Sequence, residues 1–249
     1  MGMNIIVLLS IIVEANQPLA IEDGQIQDTN LKETVNPPDE AALEEALLLK
    51  EAYGGSITIV TVHHREAEKH LMRALAMGAD SALFVKTEES LEPSVIAKII
   101  AEQISDRSVD LILAGDFSTN GGSGQVGPRV AARLGMPLIT KAEKLEIDKD
   151  DVLITKESNG DLETYKGSFP VLLTIPQGLH TPRLPKLSSI MKAKQKPLEI
   201  RAVSYANKTD IQAVDYSYSA TDRKKILLDG ELQDKVNQLA QIIKGHIQE

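Results

Sequence analysis

Gly122, Gly124 and Gly127, in the stretch GDFSTNGGSGQVGP (115–128), spell G-x-G-x-x-G just after the apolar run DLILA. Glycines spaced in this way let the main chain turn tightly and present bare backbone N–H groups, which bind phosphate without a charged side chain. In a nicotinamide-binding turn the first glycine comes at the strand end, and an acidic residue closes the next strand about 20 residues on. Here Asp116 to Gly121 intervene before Gly122, and the segment after Gly135 reads MPLIT with Lys141 next. Three readings stay open: a dinucleotide turn, a plain surface loop, or the phosphate cradle of another nucleotide fold. The third uses most of the stretch, including a helix led by Pro128 at its first position with amides from Gly124 to Gly127 at its start.

A second helix start has the same character. NPPDE (36–40) puts Asn36 at an N-cap, Pro37 at the first helical position and Asp39 at the third. Simple capping fits this pattern, and so does a ligand-facing helix end. Other side-chain chemistry is sparse. The histidines at 63, 64, 70, 180 and 246 include the adjacent pair His63 and His64, but adjacent residues diverge and no metal-ligand spacing surrounds them. There is no cysteine, which excludes disulfides, thiolate metal sites and cysteine nucleophiles. Neither a G-x-S-x-G elbow nor a G-x-x-x-x-G-K-[ST] loop occurs. In RLPKLSSIMKAKQKP (183–197) lysines are interleaved with Leu184, Leu187, Ile190 and Met191. That is either a solvated amphipathic turn of helix or a docking surface for an acidic partner.

The elements that must carry these residues follow from hydrophobic period. Apolar runs at 4–9, 56–62, 81–85 and 110–115 are short and mostly β-branched, as in strands buried on both faces. Helical patterns at 39–53, 65–78, 92–105 and 127–135 lie between or after them. Strand and helix in alternation imply parallel pairing with right-handed crossovers, hence an α/β fold: an open, mostly parallel doubly wound sheet. In such a sheet the first helix and the glycine loop begin at the same edge, the carboxyl edge, where ligands bind. Residues 17–30 interrupt the rhythm as a hairpin turning at Asp23-Gly24. From 144 to 175 short alternating segments with Asp and Asn-Gly turns predict an antiparallel extension. The nucleotide-binding core is read as 1–175. Residues 176–249 are read as a partner-recognition loop, an extended arm and an amphipathic helix over 229–248, with apolar residues at 232, 236, 239, 242, 243 and 247 that need a partner.

With 249 residues and 42% apolar content the chain can bury a large core, and its formal charge of −9 argues against nucleic acid as a partner. The apolar N-terminus has no preceding Lys or Arg and is too short to span a bilayer, so no membrane insertion is expected. Met-Gly-Met reads as an added start before a natural one at Met3. Freedom from cysteine suits the reducing cytoplasm.

VNPPDEAALEEALLLKE (35–51), RALAMGAD (73–80), DLILAG followed by GQVGP (110–115 and 124–128), ESNGDLETYKGSFPVLLT (157–174) and TPRLPKLSSIMKAK (181–194) resemble, in the same order, the β subunit of electron transfer flavoproteins. The likeness covers residues 4–200. It implies a heterodimer with an α subunit, in which FAD held mostly by the α subunit carries electrons between an acyl-CoA dehydrogenase-like flavoenzyme and a redox acceptor. The family's β subunit holds an adenine nucleotide. In most members this is AMP; in flavin-bifurcating members it is a second FAD that takes electrons from NADH. Carried over by position, the nucleotide would meet Leu8 and Leu9, Asn36 to Asp39, Val62, and the loop residues Gly115, Ser118, Gly122, Ser123, Gly124, Gln125 and Val126. Leu187 would anchor a dehydrogenase partner, with Ile190, Met191, Lys192 and Lys194 beside it. No catalytic side chain is implied. Where many members carry Lys-x-x-x-Asp after the first strand, this chain has Ser10 and IIVEA, and where they show Q-A-I-D-x-D it has Phe117 to Gly122, two carboxylates fewer. Its GD-x-S opening and QVGP close are nearer the bifurcating and Fix-type members. The alternative is an adenine-nucleotide-binding module of the universal stress protein type, against which the long extension past residue 150 counts.

Overall fold

The four apolar runs become neighbouring strands in the computed structural model, which describes residues 2–14, 19–27, 31–148, 151–205, 214–218 and 225–247. From the N-terminus the chain forms β1 (Met3–Leu8), β2 (Ile11–Val13), β3 (Ala20–Glu22), β4 (Gln25–Gln27), β5 (Glu33–Val35), α1 (Pro37–Tyr53), β6 (Gly55–His63), α2 (Glu68–Met77), β7 (Ser81–Lys86), α3 (Pro93–Ile104) and β8 (Leu111–Gly115). There follow α4 (Val126–Leu134), β9 (Leu138–Ile139), β10 (Ala142–Asp148), β11 (Asp151–Ser158), β12 (Asp161–Ser168), β13 (Val171–Ile175), α5 (Leu187–Ala193), β14 (Leu198–Ala202) and α6 (Leu232–Ile247).

Seven strands in the order β14-β7-β6-β1-β8-β13-β9 make the central sheet, and every pairing in it is parallel. Its inner strands read as apolar runs because both faces are covered. Ile5 and Val7 of β1 pack with Leu43 and Leu47 of α1 and with Leu71 and Leu75 of α2. Ile6 and Leu8, one residue out of step, pack with Ile99 of α3 and Val130 of α4 on the other face. The antiparallel strands expected after 140 are present as β10-β11-β12, hydrogen-bonded as a sheet of their own, after which β13 returns to pair with β8 in parallel. No strand is expected between 176 and 225, yet β14 joins the sheet edge beside β7 with Leu198 opposite Ala82.

Residues 21–26 group with 213–249 as a second compact unit, separate from the one formed by 1–20 and 27–212. Within it β3 and β4 form the expected hairpin, with φ of +49° at Asp23 and +70° at Gly24, the primed geometry that suits Asp-Gly. The backbone of Tyr216 donates to Gly24 O, and the Tyr218 hydroxyl accepts from Ile21 N. Helix α6 leaves Leu232, Val236, Leu239 and Ile243 exposed. No helix among the described residues is long and apolar enough to cross a membrane.

Candidate functional site

After β1 the chain builds β6 and β7 to one side, then returns to place β8 on the other side of β1. Strand order therefore reverses between β1 and β8, and the loops leaving their carboxyl ends diverge around a crevice. The first turn of α1 occupies the base of that crevice. One carboxylate oxygen of Asp39 accepts from Ser10 N and the other from Gly115 N, both at 2.7 Å. This carboxylate staples the end of β1 to the end of β8. Gly115 has no side chain because a Cβ there would overlap Asp39 Oδ1 and come within 2.6 Å of Pro38 Cβ. Burial raises the Asp39 pKa from 3.8 to about 6, against the opposing pull of the hydrogen bonds from Ser10 and Gly115.

Asn36 stands at the N-cap of α1 with an extended backbone, but its side chain does not cap the helix. Nδ2 donates to Phe117 O at 2.9 Å and Oδ1 accepts from Thr119 N at 3.2 Å, while the Asn36 amide donates to Ser10 O. Capping as the role of this side chain is thus corrected, for a physical reason: the loop after β8 comes close enough to offer it both a donor and an acceptor. A second carboxamide acts likewise at the loop tip. Asn120, with its amide oriented by its neighbours, donates to Val13 O at 3.0 Å and accepts from Val13 N at 2.9 Å.

Between these pins the loop turns sharply. Gly122 N donates to Ser118 O at 2.7 Å, and Gly122 and Gly124 have φ of +64° and +57°. A Cβ on Gly124 would lie 2.8 Å from Asp116 O. Gly127 has a different use: it is buried, and a Cβ there would come within 3.1 Å of Thr174 Cγ2, so it lets α4 lie close on β13. Helix α4 begins at Val126, so Pro128 occupies its third position and not its first. The lost N–H is as harmless there, since the first four helical amides have no intrahelical acceptor. Among the described residues no acceptor is found for the N–H groups of Ser123, Gly124, Gln125 and Val126. These amides stand at the positive end of the helix dipole, an arrangement that can receive an anion. Arg129 Nε reaches Gln125 Oε1 at 2.9 Å and adds a cation nearby. The only carboxylate in 115–128 is Asp116, which desolvation pushes above the usual carboxylate range while Lys141 pulls it down.

The other candidate residues fall in two places. Leu8 and Leu9 end β1 at this crevice with buried side chains, so only their main chain could face a ligand, and Leu9 O already accepts from Thr61 Oγ1 at 2.8 Å. Val62 lies at the same edge near the end of β6, where His63 is hydrogen-bonded to Glu33. Ser118 is half-buried and Ser123 exposed. Leu187, Ile190, Met191, Lys192 and Lys194 are far from all of these. They sit on or beside α5, exposed, with Leu187 at 79% and Met191 at 60%, while Ala193 alone is buried beneath them. The stem of this loop binds Glu44 and Glu51, about 8 and 18 Å along α1 from Asp39, and its far end, at Lys196, binds carbonyls at the C-terminal end of α2. Two candidate surfaces thus lie toward opposite edges of the sheet. Sequence alone assigns no pinning role to Ser10, Asn120, Arg183 or Lys196, whose partners lie far off in the chain; Arg183 and Lys196 stand out in it only as members of the basic 183–197 segment.

Fold and crevice define a doubly wound α/β protein with a switch-point crevice at the carboxyl edge of its sheet. Residues 23–206 match the model of the electron transfer flavoprotein domain. The chain is 46% identical over 200 residues to the electron transfer flavoprotein subunit beta of Bacillus subtilis, covering 79% of this chain and 78% of that one. It is 35% identical over 230 residues to the subunit of the same name from Bradyrhizobium diazoefficiens, covering 90% and 88%, and 28% identical over 248 residues to that of Syntrophomonas wolfei, covering 99% and 98%. The chain belongs to the electron transfer flavoprotein family, among the β subunits. This match does not favour the universal stress protein alternative.

Proposed function

We propose that this chain is the β subunit of a heterodimeric electron carrier, that it pairs with an α subunit which holds most of one FAD, and that the β1/β8 crevice holds an adenine nucleotide. The observation that carries the nucleotide reading is the row of amides from Ser123 to Val126, without acceptors among the described residues, at the end of a loop whose 117–120 segment is pinned by Asn36 and Asn120. A bound flavin supplies the redox chemistry; this chain's residues bind, orient and shield it. The nucleotide in the crevice is read as a second FAD and not AMP. Phe117 to Gly122 contain no carboxylate, so repulsion of a diphosphate is reduced. A second FAD would permit bifurcation with NADH as donor. At the other edge, Leu187, Ile190 and Met191, with Lys192 and Lys194 beside them, form an apolar knob with a basic rim, suited to an acidic-rimmed pocket on an acyl-CoA dehydrogenase-like flavoenzyme.

The test is to purify the chain together with its α subunit, release the bound nucleotides with acid, and count FAD and AMP. Two FAD per heterodimer are expected. One FAD with one AMP would overturn the second-flavin reading while leaving the crevice as the nucleotide site; no nucleotide beyond the α subunit's FAD would overturn the crevice itself.

A further inference from the structure

We propose that Arg183 and Lys196 are positioning residues that clamp the two stems of the α5 loop, so that its apolar tip is presented in one fixed shape to the partner flavoenzyme. The proposal rests on the docking reading of α5 given above. The loop has little reason of its own to hold a shape. Helix α5 has only seven residues, too few to persist unaided. Leu184, Leu187, Ile190 and Met191 are all exposed, and only Ala193 enters the core.

Each stem is bonded through a cation. Before the loop, Arg183 Nε meets Glu44 Oε1 and Oε2 at 2.9 and 3.1 Å, Nη2 meets Glu44 Oε1 at 2.7 Å, and the Arg183 amide meets Glu44 Oε2 at 3.0 Å. The same guanidinium also reaches Glu51, two turns further along α1. The Glu44 side chain is only 7% exposed, a buried carboxylate on the middle of a helix that Arg183 neutralises in fork geometry. His180 Nε2 and Glu45 Oε2, 2.5 Å apart, extend the seam. After the loop, Lys196 Nζ donates to Leu75 O at 2.8 Å and Ala79 O at 2.5 Å. Those are carbonyls at the C-terminal end of α2, where the helix dipole favours a cation and where free carbonyls need donors. One stem is therefore fixed to α1 and the other to α2, and the loop between them projects as a rigid knob. Rigidity of this kind reduces the ordering that docking would otherwise demand.

The test uses the intact heterodimer. Arg183→Met alone would strand Glu44 and disturb folding, so the main variant is Arg183→Gln with Glu44→Gln, accompanied by Lys196→Met and by the conservative Arg183→Lys. Hydrogen exchange of the 187–193 amides should quicken by about tenfold or more, equivalent to about 1.4 kcal/mol, with exchange at 111–126 unchanged. KM for the flavoenzyme donor should rise several-fold with kcat and flavin content preserved, and Arg183→Lys should restore part of the loss. Unchanged exchange in α5 would overturn the clamp. Faster exchange with an unchanged KM would instead overturn the docking reading on which it rests.

Discussion

Removing the Asp39 carboxylate should unfasten the crevice. Asp39→Ala leaves Ser10 N and Gly115 N without the oxygens each meets at 2.7 Å. A buried amide deprived of its acceptor costs about 1–3 kcal/mol, so a loss of about 2–6 kcal/mol is expected, a large part of the about 5–15 kcal/mol of an ordinary domain. Asp39→Asn keeps one accepting oxygen and turns an NH2 toward the other amide, for about half that loss. The pH dependence follows from the raised pKa of about 6 against 3.8. The folded chain holds this proton more tightly than the unfolded chain, so the stability it contributes is fully present below 3.8 and is lost as pH rises through about 6. A difference of about two pH units is worth about 3 kcal/mol. Equilibrium urea unfolding of wild type and Asp39→Asn, followed by circular dichroism between about pH 3 and 8, should show the wild-type advantage growing by about 3 kcal/mol toward the acid end. An advantage that shrinks toward acid would refute the reasoning, because it would mean that the two amide bonds outweigh desolvation and hold this carboxyl below its ordinary range.

Gly115→Ala should act on the same staple from the other side, since its Cβ would lie 2.6 Å from Pro38 Cβ and 2.9 Å from Asp39 N. A loss of about 1–3 kcal/mol in thermal or urea unfolding is expected, together with reduced nucleotide content in the purified complex; full retention of both would mean that α1 can shift off β8 freely. Leu187→Ala, at a residue 79% exposed, should change stability by no more than about 0.5 kcal/mol and leave flavin content intact while raising KM for the flavoenzyme donor. Loss of flavin in that variant would place Leu187 in the core and remove it from the docking surface.

The buried strands were legible because each has both faces covered. Ile5 and Val7 serve one face and Ile6 and Leu8 the other, which leaves no polar position to break the run. The Asp23-Gly24 hairpin was legible because its backbone geometry is a local property of those two residues. Strand β14 was not, since Leu198–Ala202 alternates charge with apolar residues and is held at the sheet edge by β7, far earlier in the chain. Helix α4 begins two residues earlier than Pro128 suggests because helix starts tolerate proline at several positions.

For the site, the residue types alone determined that bare amides and a helix start would lie at the carboxyl edge, because glycine spacing and proline-led helix starts are local signals. What Asn36, Asp39 and Arg183 do was decided only by tertiary structure. Asn36 looks like a cap until the loop carrying Phe117 is brought beside it, and Asp39 looks like a first-turn acid until Ser10 and Gly115 converge on it. Arg183 finds Glu44 across 139 residues of chain. Hydrogen-bond partners so distant leave no periodic trace in a sequence, and which donor meets which acceptor is settled only when the sheet sets the order of its strands.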